Sequence, residues 1–469
     1  MTTTVTRTDR RRWYALPLLC TAQFMVILDA QIVILALPSI ERALGLSAGL
    51  GQWVLSAYLL SLGGLLLLGG RMADLLGRRR VFMAGTALFL VSSLACGLAG
   101  SAAVLVAARV VQGMSAAIMA PTALSILMTT FEEGPDRNRA LGIWSGMGGL
   151  GATAALLIGG TLTQGLGWEW IFFLNVPVAA LLFALSPVLL RESREAAGRR
   201  TYDPAGAVTI TAALGLLVSA IVGAPSTGWT SPVTLAQLAA AVAVGALFVA
   251  VESRSSAPLV PLGIFRSRSL VGGNVAMLLF GMLAWGVSLL VAQYAQLVLG
   301  FSPLQFGVAS VALTAMAIVG AYAAQYLVTR AGYRVVAAAA MVSLGVASVL
   351  LTRVPVDGTY ARDILPGLLL AGLGIGGGTV GATVAALSGV EARDAGLASG
   401  TNTAAFQIGG AFGAAIVTTV AVSRTLGPDH LAALTRGFQG GFVGCVAFAV
   451  AGLLVSAVLL RRHRGAPAR

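Results

Sequence analysis

Lysine is absent from this chain of 469 residues, histidine occurs twice and cysteine three times. All 30 of its strongly basic side chains are therefore arginine. That excludes a phosphate-loop lysine, a lysine Schiff base and a lysine general base. Cys20, Cys96 and Cys445 stand singly in separate apolar stretches. Such spacing supports neither a metal site nor a disulfide framework and suits small packing residues. His430 and His463 fall outside those stretches, which argues against a histidine proton relay or a haem. Charge of either sign is scarce: 10% of residues are charged and 57% hydrophobic, with mean hydropathy +0.90. Soluble globular proteins do not have such a composition.

What the chain does have is apolar length. A transmembrane helix needs roughly 20 predominantly apolar residues. Segments that meet this need lie at 13–37, 50–70, 81–100, 103–129, 140–164, 169–190, 204–224, 232–251, 270–297, 304–328, 335–352, 363–388, 395–422 and 437–460. The gaps between them leave no room for a soluble domain larger than a few turns. The expected fold is an all-α polytopic membrane protein of 14 transmembrane helices, working inside the bilayer.

The net charge of +13 invites a nucleic-acid reading, but the arginines sit at segment ends and do not gather on one face. No nucleic-acid partner is expected. With the N-terminus inside, all but six of the arginines fall in cytoplasmic loops and tails; the exceptions are Arg42, Arg353, Arg362, Arg424, Arg436 and Arg109. The positive-inside rule then places both termini in the cytoplasm of a cell-membrane protein. The first segment is too long for a signal peptide and lacks a small-residue cleavage site, so it reads as a retained span.

Loop spacing divides the chain into a six-segment bundle (1–203), two additional segments (204–252) and a second six-segment bundle (253–469). A weak repeat supports two parallel halves. Gly70-Arg-Met-Ala-Asp74-Leu-Leu-Gly77-Arg78 after the second segment is echoed by Gln325-Tyr-Leu-Val-Thr329-Arg-Ala-Gly332-Tyr-Arg334 after the tenth. Such halves are typical of transporters that rock around a central site.

Four motifs carry a family resemblance. Gly70-x-Met72-Ala73-Asp74-x-x-Gly77-Arg78-Arg79-Arg80 is close to G-x-L-A-D-R-x-G-R-R, with Leu75 in the place of its arginine. Leu28-Asp29-x-x-Ile32-Val33-x-x-Ala36-Leu37-Pro38 is similar to L-D-x-T-I-V-N-V-A-L-P, with Gln31 and Ile34 as departures. Arg109-x-x-Gln112-Gly113 matches R-x-x-Q-G. Trp168-x-Trp170-x-Phe172-x-x-Asn175-x-Pro177 matches W-R-W-x-F-x-x-N-x-P, with Glu169 replacing the arginine. Over nearly its whole length the chain resembles the major facilitator superfamily, and within it the fourteen-helix drug:proton antiporters of the EmrB/QacA group. In the fifth segment Gly159-Gly160 keeps part of that group's antiporter pattern, while Ala155-Leu156 replaces its Gly-Pro. The resemblance implies proton-coupled efflux of small lipophilic, sometimes cationic drugs by a monomer without cofactors. Export of a self-made antibiotic is the second reading, a receptor or scaffold a third, and no enzyme activity is expected.

Asp29 and Arg109 are the only acidic or basic side chains well inside the expected spans. A charge at bilayer depth is costly, is normally paired and marks a pathway. Counted from the outer ends, the two lie at roughly 12 and 9 Å at 1.5 Å per residue, so they can meet at one level. Substrate and proton are expected to compete for Asp29 while Arg109 tunes its affinity, and Asp29→Asn to abolish coupling with the fold intact. Gly70, Asp74, Gly77 and Arg78 are the expected conformational latch, since an acid at a helix end accepts hydrogen bonds and pairs with arginine. The expected substrate pocket is apolar with a few polar groups: Gln31, Tyr58, Gln112, Trp285, Gln293, Tyr294, Gln296, Asn402 and Gln407. Gly146-x-Gly148-x-x-Gly151 and Gly372-x-Gly374-x-x-Gly377 have dinucleotide-fingerprint spacing but follow no strand. Their small residues suit close helix packing.

Overall fold

A computed structural model of the chain describes residues 7–131, 134–193, 204–255, 258, 263, 267–388, 395–425 and 429–459. Helix follows helix with no strand among the described residues. In lipid a helix satisfies its own backbone, and these apolar runs have no other way to do so. The first seven helices are α1 (Arg7–Leu44), α2 (Ala48–Leu76), α3 (Arg78–Gly97), α4 (Ala102–Thr130), α5 (Pro135–Gly165), α6 (Trp170–Phe173) and α7 (Asn175–Leu189). Two more, α8 (Pro204–Thr227) and α9 (Pro232–Arg254), precede α10 (Arg268–Leu297), α11 (Pro303–Ala309), α12 (Val311–Ala331) and α13 (Tyr333–Leu351). A π-helical turn at Tyr360–Ile364 leads into α14 (Leu365–Leu387), followed by α15 (Ala395–Arg424) and α16 (His430–Val458).

Among the described residues, 13 helical segments are long and apolar enough to cross a membrane. Three of them join two elements: α6 with α7, α11 with α12, and the π turn with α14. The expected fifth span falls in α5, which has 31 residues but is not among the 13. The side chains of Asn138 and Ser145 in it lie outside the described residues.

The start signals are local. Ser47, Ser101, Ser231 and Ser267 each accept the backbone N–H three residues on, at 3.2–3.4 Å. Ser302 and Gln305 form a reciprocal capping box. These bonds satisfy N–H groups that the first turn of a helix leaves without partners.

Helices α1–α7 pack on one another, and so do α10–α16; the two sets meet where α2 lies along α15 and α5 along α11. Glycine permits the closest approaches. A Cβ at Gly372 or Gly376 of α14 would overlap the carbonyl of Leu313 or Ala317 in α12, the small-residue packing expected of that run. The pair α8–α9 is set apart. It packs against itself and against α2 and α15, and α9 has only 11% of its apolar window buried where α10 has 78%.

The weak repeat has a conformational counterpart. Gly77 (φ 104°) and Gly332 (φ 85°) both close one helix and open the next in a backbone region that favours glycine. Their N–H groups donate to Ala73 and Val328 at 3.2 and 3.0 Å. Two residues on, Arg79 donates to the Leu190 carbonyl at 3.5 Å and Arg334 to that of Ala457 at 2.6 Å. Each arginine thus caps the carbonyl end of the last long helix of its own set, where a cation is favoured.

Candidate functional site

The motifs quoted from the first, fourth and sixth segments converge on one point. Arg109 of α4 donates from Nη1 to Asp29 Oδ2 of α1 at 2.7 Å, and both side chains are fully buried. The other carboxylate oxygen accepts from Asn175 Nδ2 of α7 at 2.7 Å and from Gln112 Nε2 of α4 at 3.0 Å. Arg109 Nη1 also donates to Gln112 Oε1 at 2.8 Å, and its Nε to the Val54 carbonyl of α2 at 3.0 Å. Gln112 is saturated: its amide nitrogen also reaches Ser93 Oγ at 2.9 Å, and its oxygen accepts from the Cys96 thiol at 3.4 Å. Arg109 Nη2 is buried without a hydrogen-bond partner. Its guanidinium lies over the Tyr58 ring, 4.1 Å from the centroid, with the Phe172 ring at 5.7 Å. Aromatic faces take the place of a solvent shell there.

Three donors on one carboxylate and a bonded, stacked guanidinium are the partners that a buried ion pair needs. A buried ion pair recovers its desolvation cost only when its remaining lone pairs and protons are also satisfied. Close helix approach makes the geometry reachable. A Cβ at Gly113 would overlap the Tyr58 carbonyl oxygen, so only glycine lets α4 come near enough to α2 to bring Arg109 under Tyr58.

The cluster is sealed inside the first set of helices. A separate cavity of about 130 Å³ lies between the sets, and α1 meets it with Gln31 and Ile34. Gln31 follows Asp29 by two residues, about 200° around a helix, so the two point to opposite sides of α1. Of the expected pocket residues, Tyr58 and Gln112 belong to the charge cluster. Gln296 bridges the sets, donating to the Leu35 carbonyl at 3.2 Å. Tyr294 is buried and donates to the Pro355 carbonyl at 2.6 Å, and Gln293 is buried. Asn402 donates to Asn274 and accepts from Thr383, both at 3.2 Å. Trp285 Nε1 and Gln407 Oε1 are buried without hydrogen-bond partners, on α10 and α15, which pack together.

In the expected latch, Gly70 faces Pro121 of α4, Arg78 donates to Ser125 Oγ at 2.6 Å, and the Asp74 side chain lies outside the described residues. Among the described residues, Glu192, just beyond α7, is an acid that contacts this loop. It accepts from the Arg79 N–H at 3.1 Å and stands 3.8 and 3.7 Å from the Arg79 and Arg80 side chains.

Asn175, Phe172, Ser93 and Glu192 were missed as partners. Asn175 and Phe172 had a signal, since both are fixed positions of the quoted sixth-segment motif. Ser93 and Glu192 had none.

The Major Facilitator Superfamily profile matches residues 19–414, and the relatives are similar over almost the full length. The cephamycin export protein CmcT of Amycolatopsis lactamdurans is 38% identical, over 97% of this chain and 93% of its own. The chain belongs to the Major Facilitator Superfamily. It is a multi-pass membrane protein and a transporter, not an enzyme. Two further superfamily relatives are the tetracenomycin C resistance and export protein of Streptomyces glaucescens (37% identical; 88% of this chain, 77% of that one) and the puromycin resistance protein pur8 of Streptomyces alboniger (37%; 96% and 91%). Among solved structures, the peptide transporter family member PepTSo superposes with TM-score 0.68 at 15% identity, over 95% of this chain and 97% of its own. The nucleoside transporter NupG superposes with TM-score 0.67 at 10% identity, over 96% and 100%. At such identities the likeness shows the superfamily fold alone.

Proposed function

We propose that this protein exports small lipophilic antibiotics across the cell membrane in exchange for protons, with both termini in the cytoplasm and fourteen spans arranged as six, two and six. The names of its relatives, which pair antibiotic resistance with export, support the cargo class. They favour a compound made by the producing cell as much as a drug met from outside.

The observation that carries the coupling is the sealed Asp29–Arg109 cluster. In the arrangement described above the carboxylate is held as an anion by three donors. Protonating it would remove the charge that binds Arg109, so a proton and the closed pair exclude each other. Opening the pair requires α1 to move against α4, and α1 presents Gln31 to the cavity on its other side. Proton and cargo are then read by opposite faces of one helix, and coupling runs through its movement instead of competition at a shared carboxylate. Trp285 and Gln407 offer a hydrogen-bond donor and an acceptor to cargo that carries both, and the loop at Gly77–Arg80 with Glu192 serves as the latch.

The test is efflux from proteoliposomes loaded with puromycin, with an acid-outside pH gradient imposed. Efflux should follow the gradient and collapse with an uncoupler. Efflux that persists after the gradient is dissipated would overturn the coupling.

A further inference from the structure

A second cavity, about 410 Å³, shares no lining residue with the charge cluster or with the cavity between the sets. Its floor is the seam between the first turns of α2 and the last turns of α15, and its walls are the end of α8 and the start of α9. Three bonds hold that frame together. Thr418 of α15 donates to Gln52 of α2 at 3.1 Å. Thr419 donates to the Ile221 carbonyl of α8 at 3.1 Å, and Gln237 of α9 donates to Ser219 of α8 at 3.3 Å.

The lining decides what such a space accepts. None of the described residues that line it is ionisable, so a charged guest would be stripped of water with no charged partner among them to replace it. Trp53, Val222, Val233 and Val422 supply apolar contact, while hydroxyl and amide groups at Ser219, Gln237 and Thr418 leave a few polar points. The volume falls within the roughly 300–1,000 Å³ of small-molecule sites. An isolated acyl chain would have no use for those polar points.

We propose that α8 and α9 complete a second ligand site, for an uncharged lipophilic molecule of drug size. Its guest touches α2 from one set of helices and α15 from the other. It therefore binds only while that seam is closed.

Gly223 provides the test. It lines the cavity, and no heavy atom lies within 4 Å of the place its Cβ would take. Gly223→Phe fills the space without displacing backbone. The full chain in phosphatidylcholine nanodiscs is irradiated with 4-methoxybenzophenone, an uncharged photoreactive probe, and the labelled peptides are mapped by mass spectrometry. Saturable labelling of segments 47–53, 219–237 and 415–422 is expected, with half-saturation shifted by about tenfold or more in Gly223→Phe. Val233→Trp at the exposed mouth gives an independent reading should the first variant fail to fold. Labelling spread over all lipid-facing helices and unchanged in both variants would refute the site. So would labelling of the same segments by a photoreactive phosphatidylcholine that the small probe does not displace, because the occupant would then be an acyl chain. No proton gradient is imposed, so the outcome is separate from that of coupling at Asp29.

Discussion

Neutralising either member of the Asp29–Arg109 pair should stop coupled export, but the two changes should differ in their cost to the fold. Composition alone suggested that Asp29→Asn would leave the fold intact, because removing a charge removes its desolvation cost. The structure revises this, since Arg109 is fully buried and cannot shed its proton in a protein. Removing one partner of a buried pair typically costs about 3–5 kcal/mol, because the other charge is left uncompensated. Arg109 would keep its bonds to Val54 and Gln112 and the faces of Tyr58 and Phe172, which places the expected loss near the lower end, about 3 kcal/mol. Arg109→Gln is asymmetric to this. The stranded carboxylate can take up a proton and keeps Gln112 and Asn175 beside it, so the loss should be about 1–2 kcal/mol. The double variant contains no charge and should be more stable than the sum of the single losses, by about 1 kcal/mol or more. Unfolding of purified protein in mixed micelles by titrated dodecyl sulfate measures all four corners of the cycle, and pH-driven efflux measures function. If Asp29→Asn proves as stable as Arg109→Gln, or the double variant shows plain additivity, the cation is not held by the carboxylate as described. If Asp29→Asn retains full gradient-driven efflux, the proton site lies elsewhere.

Three other outcomes are expected. Asn175→Ala removes the 2.7 Å donor to Asp29; a hydrogen bond to a charged group is worth about 1.5–3 kcal/mol. With the carboxylate less held as an anion, the pH of half-maximal efflux should rise, as measured over a series of internal and external pH values; an unmoved profile would exclude Asn175 from coupling. Gly113→Val forces α4 away from the Tyr58 carbonyl, and overpacking of about 1–3 kcal/mol should appear in the same unfolding assay together with loss of transport. Joining Leu50→Cys and Val422→Cys, both exposed and lining the same cavity at that seam, with a short bis-maleimide should hold the α2–α15 seam shut and stop transport, while the three native cysteines, all buried, should react little. Undiminished transport by the cross-linked protein would show that this seam need not open.

The helices were legible because hydrocarbon thickness and backbone satisfaction leave one solution for runs of this length. The ion pair was legible for a related reason: Asp29 and Arg109 stood out as charges where charge is expensive. Their surroundings were less so. Tyr58 and Gln112 carried the chemistry of a drug pocket in isolation, yet one stacks on Arg109 and the other fills all its bonds inside the cluster. Sequence position fixes depth along a helix but not which neighbour stands across from it, and the two residues between Asp29 and Gln31 turn a shared site into two opposite faces. Asn402 shows the same limit. It was chosen as a polar residue at depth, but its partner Asn274 lies 128 residues away and no spacing rule joins them. Glu192 lay at the end of a span among other charges, where nothing in its immediate context sets a latch partner apart from a solvated acid.

The two arginine clasps have a consequence for synthesis. The carbonyl that Arg79 grips lies 111 residues downstream of it, and the one that Arg334 grips lies 123 residues downstream. Neither bundle can be tied off until its own last helix has left the ribosome. The first is complete as soon as Leu190 has emerged, while every residue of the second is still untranslated. The two middle helices then occupy the translocation machinery during the interval in which the first bundle settles. A nascent chain arrested once Leu190 has cleared the ribosome should already hold a closed half in the membrane, resistant to protease, whereas arrest with α7 still inside the ribosome should leave a third helix with nothing to fasten to.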